Sequence, residues 1–244
     1  MGQFFENLKD TFVLNFIQED RWKFVTEGIK TTLIVTLCAI VIGVIIGIIV
    51  ASVRSTYEKN KEEYAKRGGF GVFLLKVVNG ICKVYLTVIR GTPMVVQLLI
   101  MYYVVFVSAK NGVPVAIAAF GINSGAYVAE IFRGGIMSID HGQFEAGRSL
   151  GLNYFQTMVH IIIPQVIKNV LPALCNEFIA LLKETSVCGY IAIQDLTKGI
   201  YIIIGRTYSY YMPLLVLAAI YLIMVMLLTW LVGKLERRLR SSER

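Results

Sequence analysis

The sequence predicts an all-α integral membrane protein of about five transmembrane helices, and three observations carry that expectation. Hydrophobic residues make up 56% of the 244 residues, above the roughly 45–50% of soluble domains. Charged residues make up only 16%, against about 25% in soluble domains. Mean hydropathy is +0.66, which excludes a disordered chain and argues against an ordinary soluble enzyme. Each span needs about 20 apolar residues to cross a hydrocarbon core of roughly 30 Å, so the length has room for five or six.

The first span is expected over residues 29–53, rich in Ile and Val and closed by Arg54. Gly43 and Gly47 within it form a small-xxx-small pair that lets another helix approach. A charged connector follows, ending in Arg67-Gly68-Gly69. The next apolar stretch is interrupted by Arg90-Gly91-Thr92-Pro93. Proline suits the first turn of a helix, so a helix is expected to end near Ile89 and the second span to run over 93–108. The third span covers 113–139, the fourth 161–182 with Pro164 and Pro172, and the fifth 212–233. Residues 183–210 read as short apolar pieces with many tyrosines.

Charge orients the spans. The net charge is +8, but the basic residues crowd the ends of apolar runs instead of forming a nucleic-acid surface. Residues 54–83 carry Arg54, Lys59, Lys61, Lys66, Arg67, Lys76 and Lys83 against Glu58, Glu62 and Glu63. The end of the chain carries Lys234, Arg237, Arg238, Arg240 and Arg244 against Glu236 and Glu243. The positive-inside rule puts both on the cytoplasmic side, with the N-terminus outside and the C-terminus cytoplasmic. Residues 1–28, with Phe4, Phe5, Phe12, Phe16, Trp22 and Phe24 among charges, are expected to form an interfacial segment. No removable signal peptide is expected, because the first apolar run lacks a basic lead and a cleavage site. No internal repeat is visible, against the inverted-repeat secondary carriers.

Cys38, Cys82, Cys175 and Cys188 show no close pairing, and His141 and His160 are the only histidines. Neither a metal site nor a redox dithiol is expected. No G-x-x-x-x-G-K-[ST] phosphate loop occurs, so the chain cannot itself supply an ATP site. No catalytic centre is expected.

The loop after the third span runs Gly142-Gln143-Phe144-Glu145-Ala146-Gly147-Arg148-Ser149-Leu150-Gly151. A short helix with small residues and a glycine stop reads either as a knob that docks on another protein or as a solvated linker. Glu145-Ala146-Gly147-x-x-x-Gly151, then nine residues, then Ile161-Ile162-Ile163-Pro164, resembles the EAA loop of ABC importer permeases. Gly147 stands where the family has its second alanine, and Ile163 where it usually has leucine. Glycine there costs the helix up to about 1 kcal/mol relative to alanine.

The resemblance covers roughly residues 28–240 and is similar to the polar amino acid uptake subfamily. Its carriers are Arg90-Gly91-Thr92-Pro93, Gln97-Leu98, Ala126-Tyr127-Val128-Ala129-Glu130, Arg133-Gly134, Gly142-Gln143, Pro164-Gln165, Asn176-Glu177-Phe178, Lys183-Glu184-Thr185-Ser186 and Leu235-Glu236-Arg237-Arg238-Leu239. It implies a type I ABC importer permease architecture: residues 29–240 form the permease domain, the loop 140–164 within it is the cytoplasmic coupling loop, and 241–244 are a tail. It further implies an ATPase subunit dimer, a second permease copy or paralogue, and an extracytoplasmic amino-acid-binding protein as partners. By the same resemblance, lipid is expected around the chain, no cofactor on it, and ATP on the partner subunit. Coupling to the ATPase falls to Gly142, Glu145, Ala146, Gly147 and Gly151. The localisation implied is the bacterial cytoplasmic membrane.

Charged residues inside spans are functional candidates by default. Glu130 and Arg133 lie three apart and share a helix face, so they either neutralise each other or serve the solute. Glu177 and Glu184 lie seven apart, about 10 Å along one helix face. With Asn176 and Thr185 they make an acidic, hydrogen-bonding stripe for an ammonium or a basic side chain, unless Lys183 or Arg206 neutralises it. Arg90 reads as a helix-end or headgroup contact. Tyr201, Tyr208, Tyr210 and Tyr211 read as an interfacial belt, or as residues facing solute or binding protein. The expected function is translocation of a polar amino acid, with a basic one favoured by the stripe. The competing function is an ion-coupled secondary amino acid carrier acting without an ATPase.

Overall fold

The computed structural model describes residues 2–59, 61, 64, 69–140 and 142–241. Of the residues weighed above, Glu62, Glu63, Lys66, Arg67, Gly68, His141, Glu243 and Arg244 lie outside the described set. Every regular element among the described residues is helical. They are α1 (Gly2–Phe12), α2 (Trp22–Lys59), α3 (Phe70–Gly91), α4 (Met94–Ile100), α5 (Gly112–Met137), α6 (Gly142–Ser149), α7 (Tyr154–Thr157), α8 (Ile163–Glu184), α9 (Leu196–Thr207) and α10 (Tyr211–Ser241). Wider π-helical turns continue α1, α4 and α7 over Val13–Ile17, Met101–Val105 and Met158–Ile162.

Five helical stretches are long and apolar enough to cross a membrane: Trp22–Lys59, Phe70–Gly91, Gly112–Met137, Tyr154–Ile191 and Tyr211–Arg238. The number agrees with the sequence, but the second member does not. The expected span over 93–108 is the short apolar helix Met94–Val105, and the stretch with spanning length is α3. At 1.5 Å per residue the 22 residues of α3 reach about 33 Å, enough for the core. The reason is periodicity. Lys76 and Lys83 are seven apart and fall on one side of the helix, which leaves the exposed apolar row Phe70, Leu74, Val77, Ile81, Val84 and Val88 unbroken. Thr92 is extended at φ −122°, ψ 146°, as the residue before a proline prefers, and it separates α3 from α4.

The chain divides into two compact units. One comprises the chain up to Ala39 with Met94–Phe120 and Ile179–Leu231. Its core gathers Phe16 and Val25 with Leu196, Ile200, Ile203 and Ile204 of α9. The backbones of α2 and α9 approach closely. A Cβ on Gly28 would lie 2.7 Å from the Asp195 carbonyl oxygen, and one on Gly199 would lie 2.4 Å from that of Phe24. The buried Thr32 hydroxyl accepts the Leu196 N–H at 3.2 Å, one of the donors a helix start leaves unpaired. The segment 196–207, read within short apolar pieces over 183–210, is a single helix buried along one side.

The other unit comprises Ile40–Pro93, Gly121–Phe178 and the chain from Val232. Here α2, α3 and α5 pack through Val50, Cys82, Leu86, Ala126 and Ala129. The Tyr85 hydroxyl donates to the Ile122 carbonyl at 2.6 Å. Gly43 fulfils its expected role, since a Cβ there would touch Ser124 Cβ at 3.0 Å. A second cluster joins Phe144 of α6 to Ile162, Val166 and Val170.

Candidate functional site

The loop singled out by its sequence is built as α6 and α7. The Asp140 carboxylate accepts the Gly142 N–H at 2.6 Å, and a carboxylate suits a helix start. Phe144 and Gly147 are the buried residues of α6, whereas Glu145, Ala146, Arg148 and Ser149 are exposed. Gly147 is small for an internal reason: a Cβ there would lie 2.6 Å from Thr157 Oγ1. The outward edge is therefore Glu145, Ala146 and Arg148. Gly151 adopts φ 78°, a left-handed conformation that glycine takes without strain, and it stops the helix where the sequence places the stop. Asn153 and Gln156 then form a reciprocal capping box that starts α7.

Glu130 and Arg133 pair with each other, and the pair is part of a larger network. Arg133 donates from Nη2 and Nε to Glu130 Oε2 at 2.8 and 3.1 Å. Its Nη1 lies 3.5 Å from Glu58 Oε2, and Glu58 Oε1 accepts from Arg54 Nη2 at 2.9 Å. Arg90 reaches Glu130 Oε1 at 3.8 Å and lies 5.8 Å from the Tyr127 ring. Arg90 thus meets a carboxylate and a ring, and the network ties α2, α3 and α5 together. A cavity of about 460 Å³ lined by Arg54, Lys83, Thr87, Arg90 and Glu130 adjoins it.

The stripe on α8 is less uniform than its spacing implies. Glu177 is half-buried and accepts a 2.8 Å hydrogen bond from Ser124 of α5. Asn176 and Glu184 are exposed. Thr185 is fully buried, and its hydroxyl donates to the Leu182 carbonyl at 2.8 Å. It therefore presents no free hydroxyl beside Glu184. Glu177 belongs to the unit that holds Glu130, and Glu184 and Thr185 to the other. Arg206, weighed as a partner of the acids on α8, lies 3.9 Å from Glu19 instead.

Two residues escaped the sequence. Ser124 sits in a run of small residues that reads as packing, and nothing in the run marks it as a donor to Glu177. Asp195 is fully buried and caps α9 by accepting the Lys198 N–H at 2.9 Å. Burial pushes its carboxyl up to about 6. The signal for it was available: an Asp directly before a helical apolar period is a start signature.

These features, five helices long enough to span and a short exposed helix between the third and fourth, are those of a membrane component. The chain belongs to the family of binding-protein-dependent transport system inner membrane components, whose model matches residues 69–241. It is 40% identical over 158 residues to GlnP of Rickettsia typhi, named as a permease of a glutamine transport system, covering 64% of this chain and 72% of that one. It is 35% identical over 193 residues to the arginine transport system permease protein ArtQ of Bacillus subtilis, covering 70% and 84%. Among solved structures, an amino acid ABC transporter crystallised with histidines matches with a TM-score of 0.76 at 38% identity, covering 88% of this chain and 94% of that one. Relatives of this kind are membrane subunits and not enzymes.

Proposed function

We propose that this chain is the translocation subunit of an ATP-driven importer of a polar amino acid in the bacterial cytoplasmic membrane. Its N-terminus lies outside and its C-terminus in the cytoplasm. It pairs with a second copy or a paralogue, receives solute from an extracytoplasmic binding protein, and is driven by a dimer of separate ATPase subunits. The observation that carries the reading is α6: it anchors itself inward through Phe144 and presents Glu145, Ala146 and Arg148 on an exposed edge that another protein can meet. Gly142, Gly147 and Gly151 shape that foot. Closing of the ATPases on ATP moves α6 and shifts the spans between outward-open and inward-open populations.

The solute contacts proposed are Glu177, positioned by Ser124, and Glu184 with Asn176 beside the path; Glu130 serves through its network. Thr185 contributes by fixing the helix end. The relatives are named for glutamine and arginine, solutes that share an α-ammonium which a carboxylate can hold, and this supports acidic contacts whichever side chain is carried. A self-sufficient ion-coupled carrier is disfavoured, because the family works with a binding protein.

The test is omission. In liposomes, uptake of labelled amino acid should require this chain, the ATPase subunits, the binding protein and ATP together. Uptake by this chain alone under a proton or sodium gradient would overturn the reading.

A further inference from the structure

The chain itself joins α6 to its neighbours, since α5 leads into it and α7 and α8 lead away. No such covalent link joins α6 to α2. Lys59, the last residue of α2, reaches across to α6: its Nζ stands 3.8 Å from the centroid of the Phe144 ring. This is well inside the roughly 6 Å over which a ring face attracts a cation. Lys59 is exposed as a residue, so its ammonium sits on the ring although water is within reach.

Phe144 is also where the rest of the unit meets α6. It shares a buried cluster with Ile162, in the turn before α8, and Val166 of α8, and Ile136 of α5 and Ile139 just past it pack against that cluster. The Tyr154 ring stacks 6.4 Å from it, with the planes 17° apart. A cavity of about 460 Å³ lined by Lys59, Met137, Glu145, Arg148 and Tyr154 opens beside the contact. Close-packed interiors transmit displacement, whereas the side of Phe144 that borders this cavity leaves room for movement. The Lys59 ammonium reaches across to the ring there. Beyond Lys59, α2 is one unbroken helix of 38 residues that contributes to both compact units.

We propose that Lys59 is a positioning residue of the transport cycle: its ammonium, held on the Phe144 ring, carries the displacement of α6 into α2. The inference rests on the reading of α6 as the segment driven by the ATPase. Loss of the contact leaves α6 able to move with its flanking helices while α2 follows poorly. ATP is then hydrolysed with less solute moved.

The experiment uses the full importer in liposomes, with labelled L-glutamine, L-arginine and L-cystine offered together, and reads solute moved per ATP hydrolysed. Lys59→Met keeps the apolar stem and removes the charge; Phe144→Leu keeps an apolar side chain and removes the ring. Each should lower the ratio about fivefold while the ATPase rate stays within about twofold. Lys59→Arg and Phe144→Tyr, which restore cation and ring, should keep it near wild type. The double variant Lys59→Met/Phe144→Leu should be no worse than either single change, as members of one contact are non-additive. An unchanged ratio in Lys59→Met, a ratio as low in Lys59→Arg as in Lys59→Met, or losses that multiply in the double variant would overturn the proposal. If Lys59→Met fails to assemble with the ATPase subunits, the comparison of Phe144→Leu with Phe144→Tyr decides it in the same way. Glu145→Arg separates the two levels. Should it leave the ratio intact, the driven role of α6 fails; should it lower the ratio while Lys59→Met does not, only the role of Lys59 fails.

Discussion

Gly47 of α2 lies so close to Val128 of α5 that a Cβ built on it would sit 2.4 Å from Val128 Cγ1 and 2.9 Å from the Ala129 amide nitrogen. A β-branched side chain and a backbone atom have little freedom to give way. Gly47→Ala should therefore cost about 1–3 kcal/mol by overpacking, visible as a lower Tm of the detergent-solubilised protein. Gly80→Ala in α3 is the control, because nothing stands within 4 Å of its added methyl. There the helix gains and the Tm should hold or rise.

The ion network predicts asymmetry between removing a charge and removing a pair. Arg133→Gln strips Glu130 and Glu58 of the cation they share, costing roughly 1.5–3 kcal/mol for charged hydrogen bonds lost in a partly buried place. Adding Glu130→Gln should cost less in this background than it does alone, because its bonds to Arg133 are already gone and only the 3.8 Å approach of Arg90 remains to be lost. Additive losses in this double-mutant cycle would show that the two side chains do not act as a pair.

Asp195 makes stability depend on pH, and the sign follows from the direction of its shift. Its carboxyl titrates near 6 in the folded chain against an ordinary 3.8. Between those values the unfolded chain has given up its proton and the folded chain has not, so stability falls as pH rises through the window. The loss is roughly 3 kcal/mol, complete above about pH 6. Asp195→Asn keeps a side-chain oxygen for the cap without the charge. Its Tm should be flatter than wild type from pH 4.5 to 7.5 and higher at the upper end. An equally steep slope in the variant would assign the pH dependence to another group.

The acids of α8 are tested by uptake. Glu177→Gln, and Ser124→Ala through it, should raise the concentration for half-maximal uptake, by on the order of tenfold for the former, the scale of one charged hydrogen bond. Glu184→Gln should do likewise if that exposed carboxylate meets the solute. If none of the three moves the concentration dependence, these carboxylates are structural.

Much of this was legible in the sequence where a local period or a local stop decides the structure. Five spanning stretches follow from apolar length alone, and Gly151 follows the end of α6 in a left-handed conformation that glycine takes without strain. The second span is expected after Arg90-Gly91-Thr92-Pro93, with Lys76 and Lys83 assigned to the basic cytoplasmic segment, whereas their spacing puts them on one side of the spanning helix α3. α9 was missed although Leu196, Ile200, Ile203 and Ile204 carry a helical period behind the Asp195 cap. Other features depend on which distant segments meet. Gly28 against Asp195, Gly147 against Thr157 and Ser124 against Glu177 have no mark in their own neighbourhoods. The outward edge of α6 belongs with these, because a run of small residues does not say which side its own chain will cover.

The central claim, that α6 delivers the work of an ATPase to the spans, is tested most directly by reversing the charge at Glu145 on its exposed edge. In the fully reconstituted importer, Glu145→Arg should leave membrane insertion and binding-protein docking intact and ATP hydrolysis running. Amino acid uptake per ATP should fall at least about tenfold, the equivalent of about 1.4 kcal/mol of coupling. Uptake and hydrolysis that remain in the wild-type ratio would contradict the account.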